Sequence, residues 1–215
     1  MEIDLEKLKD LPLWIIAFLI SGGLHEFAHA LTAFRLGDRT AADTGRLTIN
    51  PIAHIDPTGL IFLIISAMFG VGIGWAKPVP VNPYNFRFPR RDMMLVSLSG
   101  PVMNILLAAL FVGIWWLAGL ALRRGNPILH FIDIFAYLNV ILASFNLIPL
   151  GMLDGAKIVS GLLPEHLAEK WERTYPYGTI VLLVLVFSQL LWYVLFPLMT
   201  AVEIVTGYFT LGMGR

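Results

Sequence analysis

Residues 22–34 read GGLHEFAHALTAF, and they lie inside an unbroken apolar run from Leu11 to Phe34. About 20 predominantly apolar residues suffice for a helix to span a bilayer. The fold therefore turns on why His25, Glu26 and His29 stand in such a segment. Ionisable side chains inside a transmembrane helix are costly and rare, and each needs compensation. On a helix, positions four apart differ by about 40° around the axis. His25 and His29 thus share one side and are placed to hold a single metal ion, with Glu26 beside them as a potential base. The competing reading is of polar groups satisfied by hydrogen bonds within a bundle. It weighs less in a membrane span than it would in a soluble helix.

The rest of the chain has the same solvent in mind. Of 215 residues, 57% are hydrophobic and only 14% charged, with a mean hydropathy of +0.75. A soluble domain is nearer half apolar and a quarter charged. The net charge is zero and there is no basic tail, which excludes nucleic acid as a partner class. The absence of cysteine removes disulfides, thiolate metal sites and thiol catalysis. Leu11 onward is too long for a signal-peptide core and lacks a small-residue cleavage site, so it reads as a retained helix.

Three further long apolar runs, Met93–Leu122, Phe131–Leu150 and Thr179–Met199, predict an all-α polytopic membrane protein of about four transmembrane helices. A shorter run, Gly59–Trp75, is rich in glycine and reads as a re-entrant segment or a fifth span. The alternating Leu47 and Ile49 after an Asp-Thr-Gly turn suggest a small β hairpin near the site. WAKPVPVNPYNFRFPRR, residues 75–91, is too rich in proline for a helix or a central strand and reads as an extended, structured loop. The whole of 1–215 reads as one integral-membrane domain, with a catalytic core over 11–163 and a C-terminal transmembrane helix over 179–199.

Two histidines leave a zinc site one protein ligand short of the usual three plus water. A candidate lies in NLIPLGMLDG, residues 146–155, where Pro149 and Gly155 let the backbone turn and aim Asp154 inward. An ordinary surface Asp-Gly turn is the alternative, weakened by apolar sequence on both sides. SGPVMN, residues 99–104, sets Gly100 and Pro101 in a span, with Asn104 putting an amide into the membrane; helix packing and substrate contact are equally compatible with it. His54, in HIDP, fits a capping or hydrogen-bonding role better than metal ligation.

HEFAH, SGPVMN and NLIPLGMLDG, in this order and each in an apolar run, resemble the site-2 protease family of zinc intramembrane metallopeptidases. HIDPTG and GWAKPVPVNP resemble its small branch without PDZ or CBS domains. The resemblance implies that His25, His29 and Asp154 bind one zinc ion and that Glu26 activates the water. It also implies that Asn146 contacts the substrate backbone, and that Asn104 lines the same cavity. His54 is a further candidate for the polar lining through which water reaches the site. The implied reaction is hydrolysis of a peptide bond in or near a transmembrane helix of a membrane-protein substrate, with RLTIN, residues 46–50, as a candidate edge for the unwound chain. A membrane metal-binding protein or zinc transporter using the same residues is the rival from another class. An intact ligand set and base argue against a dead scaffold.

If His25, His29 and Asp154 hold one ion, the first helix and the helix leading to Asp154 run in the same direction. Met93–Leu122 supplies the one crossing between them, so Gly59–Trp75 adds no net crossing. In that topology Arg39, Arg46, Lys77, Arg87, Arg90, Arg91, Lys157, Lys170 and Arg173 lie on the side of the site. Lys7, Lys9, Arg123, Arg124 and Arg215 lie opposite. The positive-inside rule then places the chain in the cell membrane with its active site nearer the cytoplasm. The sequence leaves the oligomeric state open.

Overall fold

The computed structural model of the protein describes residues 9–68, 74–123 and 125–208. Among the described residues, three helices are long and apolar enough to cross a membrane: α1 (Leu11–Arg35), α3 (Pro89–Gly119) and α4 (Pro127–Asn146). Prolines stand at the first turns of all three, where a missing N–H costs nothing. Asn126 also caps α4 by accepting from the Ile128 amide at 2.9 Å. Between α1 and α3 comes α2 (Pro57–Met68), and after α4 come α5 (Asp154–Leu162), α6 (Glu165–Glu172), α7 (Tyr175–Phe187) and α8 (Leu191–Thr206).

Cross-helix contacts fix the directions. Asp10 meets His130 at 2.9 Å, Trp14 meets Tyr137 with ring centroids 6.2 Å apart, and Ser21 meets Asn139 at 2.9 Å. The numbers rise together, so α1 and α4 are parallel. Against α3 they run in opposition: His29 meets Val96 and His25 meets Asn104, while Asn104 meets Asn139 and Phe111 stacks on Phe135 at 4.7 Å. The parallel arrangement expected from the ligand positions is the one found.

The segment between α1 and α3 begins and ends on one side of the bundle. With 12 residues, α2 is about 18 Å long, short of the roughly 30 Å hydrocarbon thickness. Gly74 and Trp75, where the described chain resumes, lie back along it. A Cβ on Gly59 would stand 2.1 Å from the Trp75 carbonyl oxygen, and one on Gly74 2.6 Å from Leu63 Cβ. Leu63 itself is buried with Ala17, Phe18 and Phe135. The described ends of Gly59–Trp75 therefore lie side by side, and residues 69–73 lie outside the described residues.

Two expectations are corrected. Among the described residues there is no strand, and 46–50 is an irregular bend rather than half of a hairpin. Its polar groups find local side-chain partners in place of a second strand. His54 Nε2 donates to the Thr48 carbonyl at 2.9 Å, Thr48 Oγ1 accepts from the Asn50 amide at 3.2 Å, and the Asn50 side chain caps the turn Pro51–His54. The apolar run 179–199 is not one helix either: α7 and α8 meet at a 95° bend. Gln189 there adopts φ 61°, a left-handed conformation that cannot continue a right-handed helix.

Candidate metal centre

His25 and His29 project from one face of α1, and Asp154 opens α5 just beyond the turn that ends α4. All three are buried, each 7% exposed. His25 Nε2 and His29 Nε2 are 3.0 Å apart, and Asp154 Oδ2 is 3.3 Å from the first and 3.2 Å from the second. A tetrahedral ion with bonds of about 2.0–2.1 Å separates its ligands by about 3.4 Å. The triangle has nearly that edge, and the three side chains form a group able to hold a metal ion. Burial alone would raise the pKa of Asp154. A protonated His29 or His25 ring beside it outweighs that and holds it well below the usual carboxylate range.

The orientation of each ring is set from behind. The Nδ1 of His29 donates to the Val96 carbonyl at 2.7 Å, which leaves Nε2 with its lone pair. His25 Nδ1 lies 2.6 Å from Asn104 Oδ1 and donates to it. The Asn104 amide then donates to Asn139 Oδ1 at 2.8 Å, and the Asn139 amide to Ser21 Oγ at 2.9 Å and the Phe135 carbonyl at 2.8 Å. Ser21, Asn104 and Asn139 are 0% exposed. In a chain of this kind each partner dictates the next, so a single polar thread across α1, α3 and α4 selects the His25 tautomer.

Glycine supplies the space. A Cβ on Gly100 would stand 2.5 Å from His25 Cε1 and from His29 Cε1 and Nε2, so α3 can approach the ligand pair only without a side chain there. A Cβ on Gly155 would stand 2.4 Å from the Leu147 carbonyl oxygen, which is how Asp154 is drawn under the end of α4. Pro101, inside α3, removes one rung of its hydrogen-bond ladder next to this contact.

The structure gathers His25, His29 and Asp154, and sets Glu26 on the same helix, half-buried, with its Oε2 accepting from the Val79 amide at 2.8 Å. It places the other candidates differently. Asn104 is fully buried, with its oxygen facing His25 Nδ1 and its amide donating to Asn139, so it supports the His25 ring. His54 packs by Gly23; its Nε2 donates to Thr48 and its Nδ1 faces the Arg46 guanidinium at 3.4 Å. Asn146 is half-buried and donates to the Leu142 carbonyl of its own helix at 2.9 Å. Asn139 was missed by sequence reasoning, although one amide amid FIDIFAYLNVILASF is the same kind of signal that marked His25.

A buried His-His-carboxylate triangle with an adjacent glutamate, carried on apolar helices, defines a membrane metallopeptidase centre. The family model described as Peptidase family M50 matches residues 118–187, which include Asn146 and Asp154. The chain is 41% identical over 199 residues to the candidate zinc metalloprotease YwhC of Bacillus subtilis, covering 89% of this chain and 87% of that one. It is 32% identical to the candidate zinc metalloprotease Rip2 of Mycolicibacterium smegmatis, covering 82% and 67%. With Rip2 of Mycobacterium tuberculosis the identity is 36% over 160 residues, covering 70% and 58%. No solved structure matches. The chain belongs to Peptidase family M50, the site-2 protease family that its motifs resemble, and is a metalloendopeptidase.

Proposed function

We propose that this protein is a zinc-dependent intramembrane endopeptidase that hydrolyses a peptide bond in or near a transmembrane helix of a membrane-protein substrate. The observation that carries the reading is the triangle of His25 Nε2, His29 Nε2 and Asp154 Oδ2, with sides of 3.0 to 3.3 Å, held within a bundle of membrane-spanning length. His25, His29 and Asp154 would hold the zinc ion named for the relatives. When bound there, zinc supplies Lewis-acid polarisation and an acidified water. Glu26 is the one ionisable group of HEFAH without a ligand role. It takes the proton of the attacking water and delivers it to the leaving amine. Asn104 and Val96 hold the two rings in the ligating tautomer. Asn146, half-buried at the end of α4, is the side chain that contacts the substrate backbone in this reading.

The site lies on the side of the bundle that carries the exposed basic residues of the 36–91 and 157–173 segments. By the positive-inside rule, the protein sits in the cell membrane with that side towards the cytoplasm.

The test is cleavage of a helix-destabilised transmembrane reporter by purified protein, with and without chelator. Wild type cleaves and chelator stops it. Glu26→Gln keeps one zinc per chain and loses cleavage by at least about 100-fold, the share of a general base. A zinc-loaded wild type that cleaves no such reporter, or that moves zinc across proteoliposomes instead, sinks the protease reading.

A further inference from the structure

The catalytic-base role of Glu26 rests on the function proposed above, and the structure adds what orients it. Residues 74–82 run without regular structure as a strap across α1. Pro78, Pro80 and Pro83 have no N–H to offer, and each restricts the residue before it to an extended backbone. Three of the amides that remain are each spent on one acceptor. The Lys77 N–H donates to the His54 carbonyl at 2.8 Å, Val79 to Glu26 Oε2 at 2.8 Å, and Asn82 to Asp38 Oδ2 at 2.8 Å. The Arg46 guanidinium adds a bond to the Lys77 carbonyl at 2.7 Å. The strap is pinned on both sides of Val79, by groups that are themselves buried: His54 is 2% exposed and Asp38 0%.

Nothing else among the described residues donates to the Glu26 carboxylate, so its second oxygen, Oε1, has no partner there. Glu26 stands on α1 next to His25 and three residues before His29. A carboxylate free to rotate presents either oxygen, whereas one tied through Oε2 presents Oε1. We propose that the main-chain N–H of Val79 is a positioning group for the reaction: it fixes the Glu26 carboxylate from a rigid, proline-braced strap and leaves Oε1 to receive the proton of the attacking water. His54, whose carbonyl anchors Lys77, acts through this strap. The strap is a fixed brace, not a lid.

Val79→Pro deletes the one donor in a backbone that Pro78 and Pro80 already hold extended. It is expected to lower kcat on the transmembrane reporter about 10- to 100-fold, the range of a hydrogen bond to a charged group, with KM and zinc content unchanged. Val81→Pro, which removes an N–H with no acceptor among the described residues, is the control and keeps kcat. A readout apart from activity comes from the absence of native cysteine. An ideal Cβ on Gly22 lies 3.7 Å from Ala76 Cβ, inside the range of about 3.5–4.5 Å found across disulfides. Gly22→Cys with Ala76→Cys is expected to cross-link readily, in the Val79→Pro background as well, and the oxidised double variant remains active. Wild-type kcat in cross-linked Val79→Pro overturns the proposal, as does loss of activity on oxidation of the double variant alone. If Val79→Pro does not cross-link, the same measurements are made after exchanging Val79 for its α-hydroxy acid, which turns the amide into an ester. Failure of the wild type to cleave any reporter is the separate outcome that removes the protease reading itself.

Discussion

α1 and α7 are both apolar helices, yet the bundle treats them oppositely. α1 buries ten residues, among them Ser21, Gly22, Gly23, His25 and His29, whereas α7 buries none of its thirteen. Apolarity is not what separates them, since Ile180, Leu183, Val184 and Phe187 of α7 are all exposed. The difference lies in the small and polar residues of α1. In lipid no hydrophobic force drives one apolar helix onto another; close approach at small residues and interhelical hydrogen bonds do. α1 has both. α7 meets the site region at its start, where a Cβ on Gly178 would stand 2.4 Å from the Gly151 amide.

That contrast can be broken at graded points. The largest effect is expected where the polar thread behind His25 is cut. Asn139→Leu leaves the Asn104 amide and Ser21 unpaired in a dry interior, a cost of about 1–3 kcal/mol. Because it also frees the His25 ring, zinc affinity should fall about 10- to 100-fold. A zinc titration alongside thermal unfolding in detergent measures both, and wild-type zinc affinity would remove the thread from the account of the site.

A smaller, pH-dependent effect belongs to Asp38, just past the end of α1. Burial by itself raises its pKa, but hydrogen bonds from the Thr40 and Asn85 side chains and the Asn82 and Thr40 amides win and hold it below the ordinary carboxylate value. A depressed folded pKa means stability that is present above the unfolded value of about 3.9 and is lost as pH falls through the folded one. The unfolding temperature of the solubilised protein should therefore drop on acidification below about pH 4. Asp38→Asn should be less stable near neutrality and should lack that part of the drop. An unchanged acid limb in the variant assigns the drop to other carboxylates.

The smallest effect is expected on α7. Val184→Ala, at a position 59% exposed, should change stability by less than about 0.5 kcal/mol and leave cleavage and zinc content as they were. A loss above about 1 kcal/mol, outside the usual range for an exposed site, would show that α7 has a partner surface after all.

Legibility followed chemical specificity. HEFAH, SGPVMN and the Asp-Gly of NLIPLGMLDG could be read because few side chains ligate metals or clear space for a ring, and those that do are conspicuous in an apolar run. Asn139 carried the same signal more weakly, for one amide in a span has many innocent explanations. Val79 carried none, since its contribution is a main-chain N–H that every residue but proline possesses. The β alternation of 46–50 misled because it was local: a strand needs a second strand, and here His54 and Asn50 satisfy the segment from within. The reading of 179–199 as one helix misled for a related reason, as hydropathy does not register the left-handed turn at Gln189.

From the sequence alone came the membrane, the three long spans at 11–34, 93–122 and 131–150, the ligand types and the requirement that α1 and α4 run parallel. Periodicity, length and the cost of burying charge determine these without reference to any neighbour. The tertiary structure decided which nitrogen of each histidine faces the metal position, that Asn104 stands behind His25, that Trp75 lies back against Gly59, and that a strap some fifty residues downstream holds Glu26. Those outcomes depend on hydrogen bonds between groups distant in the chain, and their partners are chosen by geometry that no local pattern encodes.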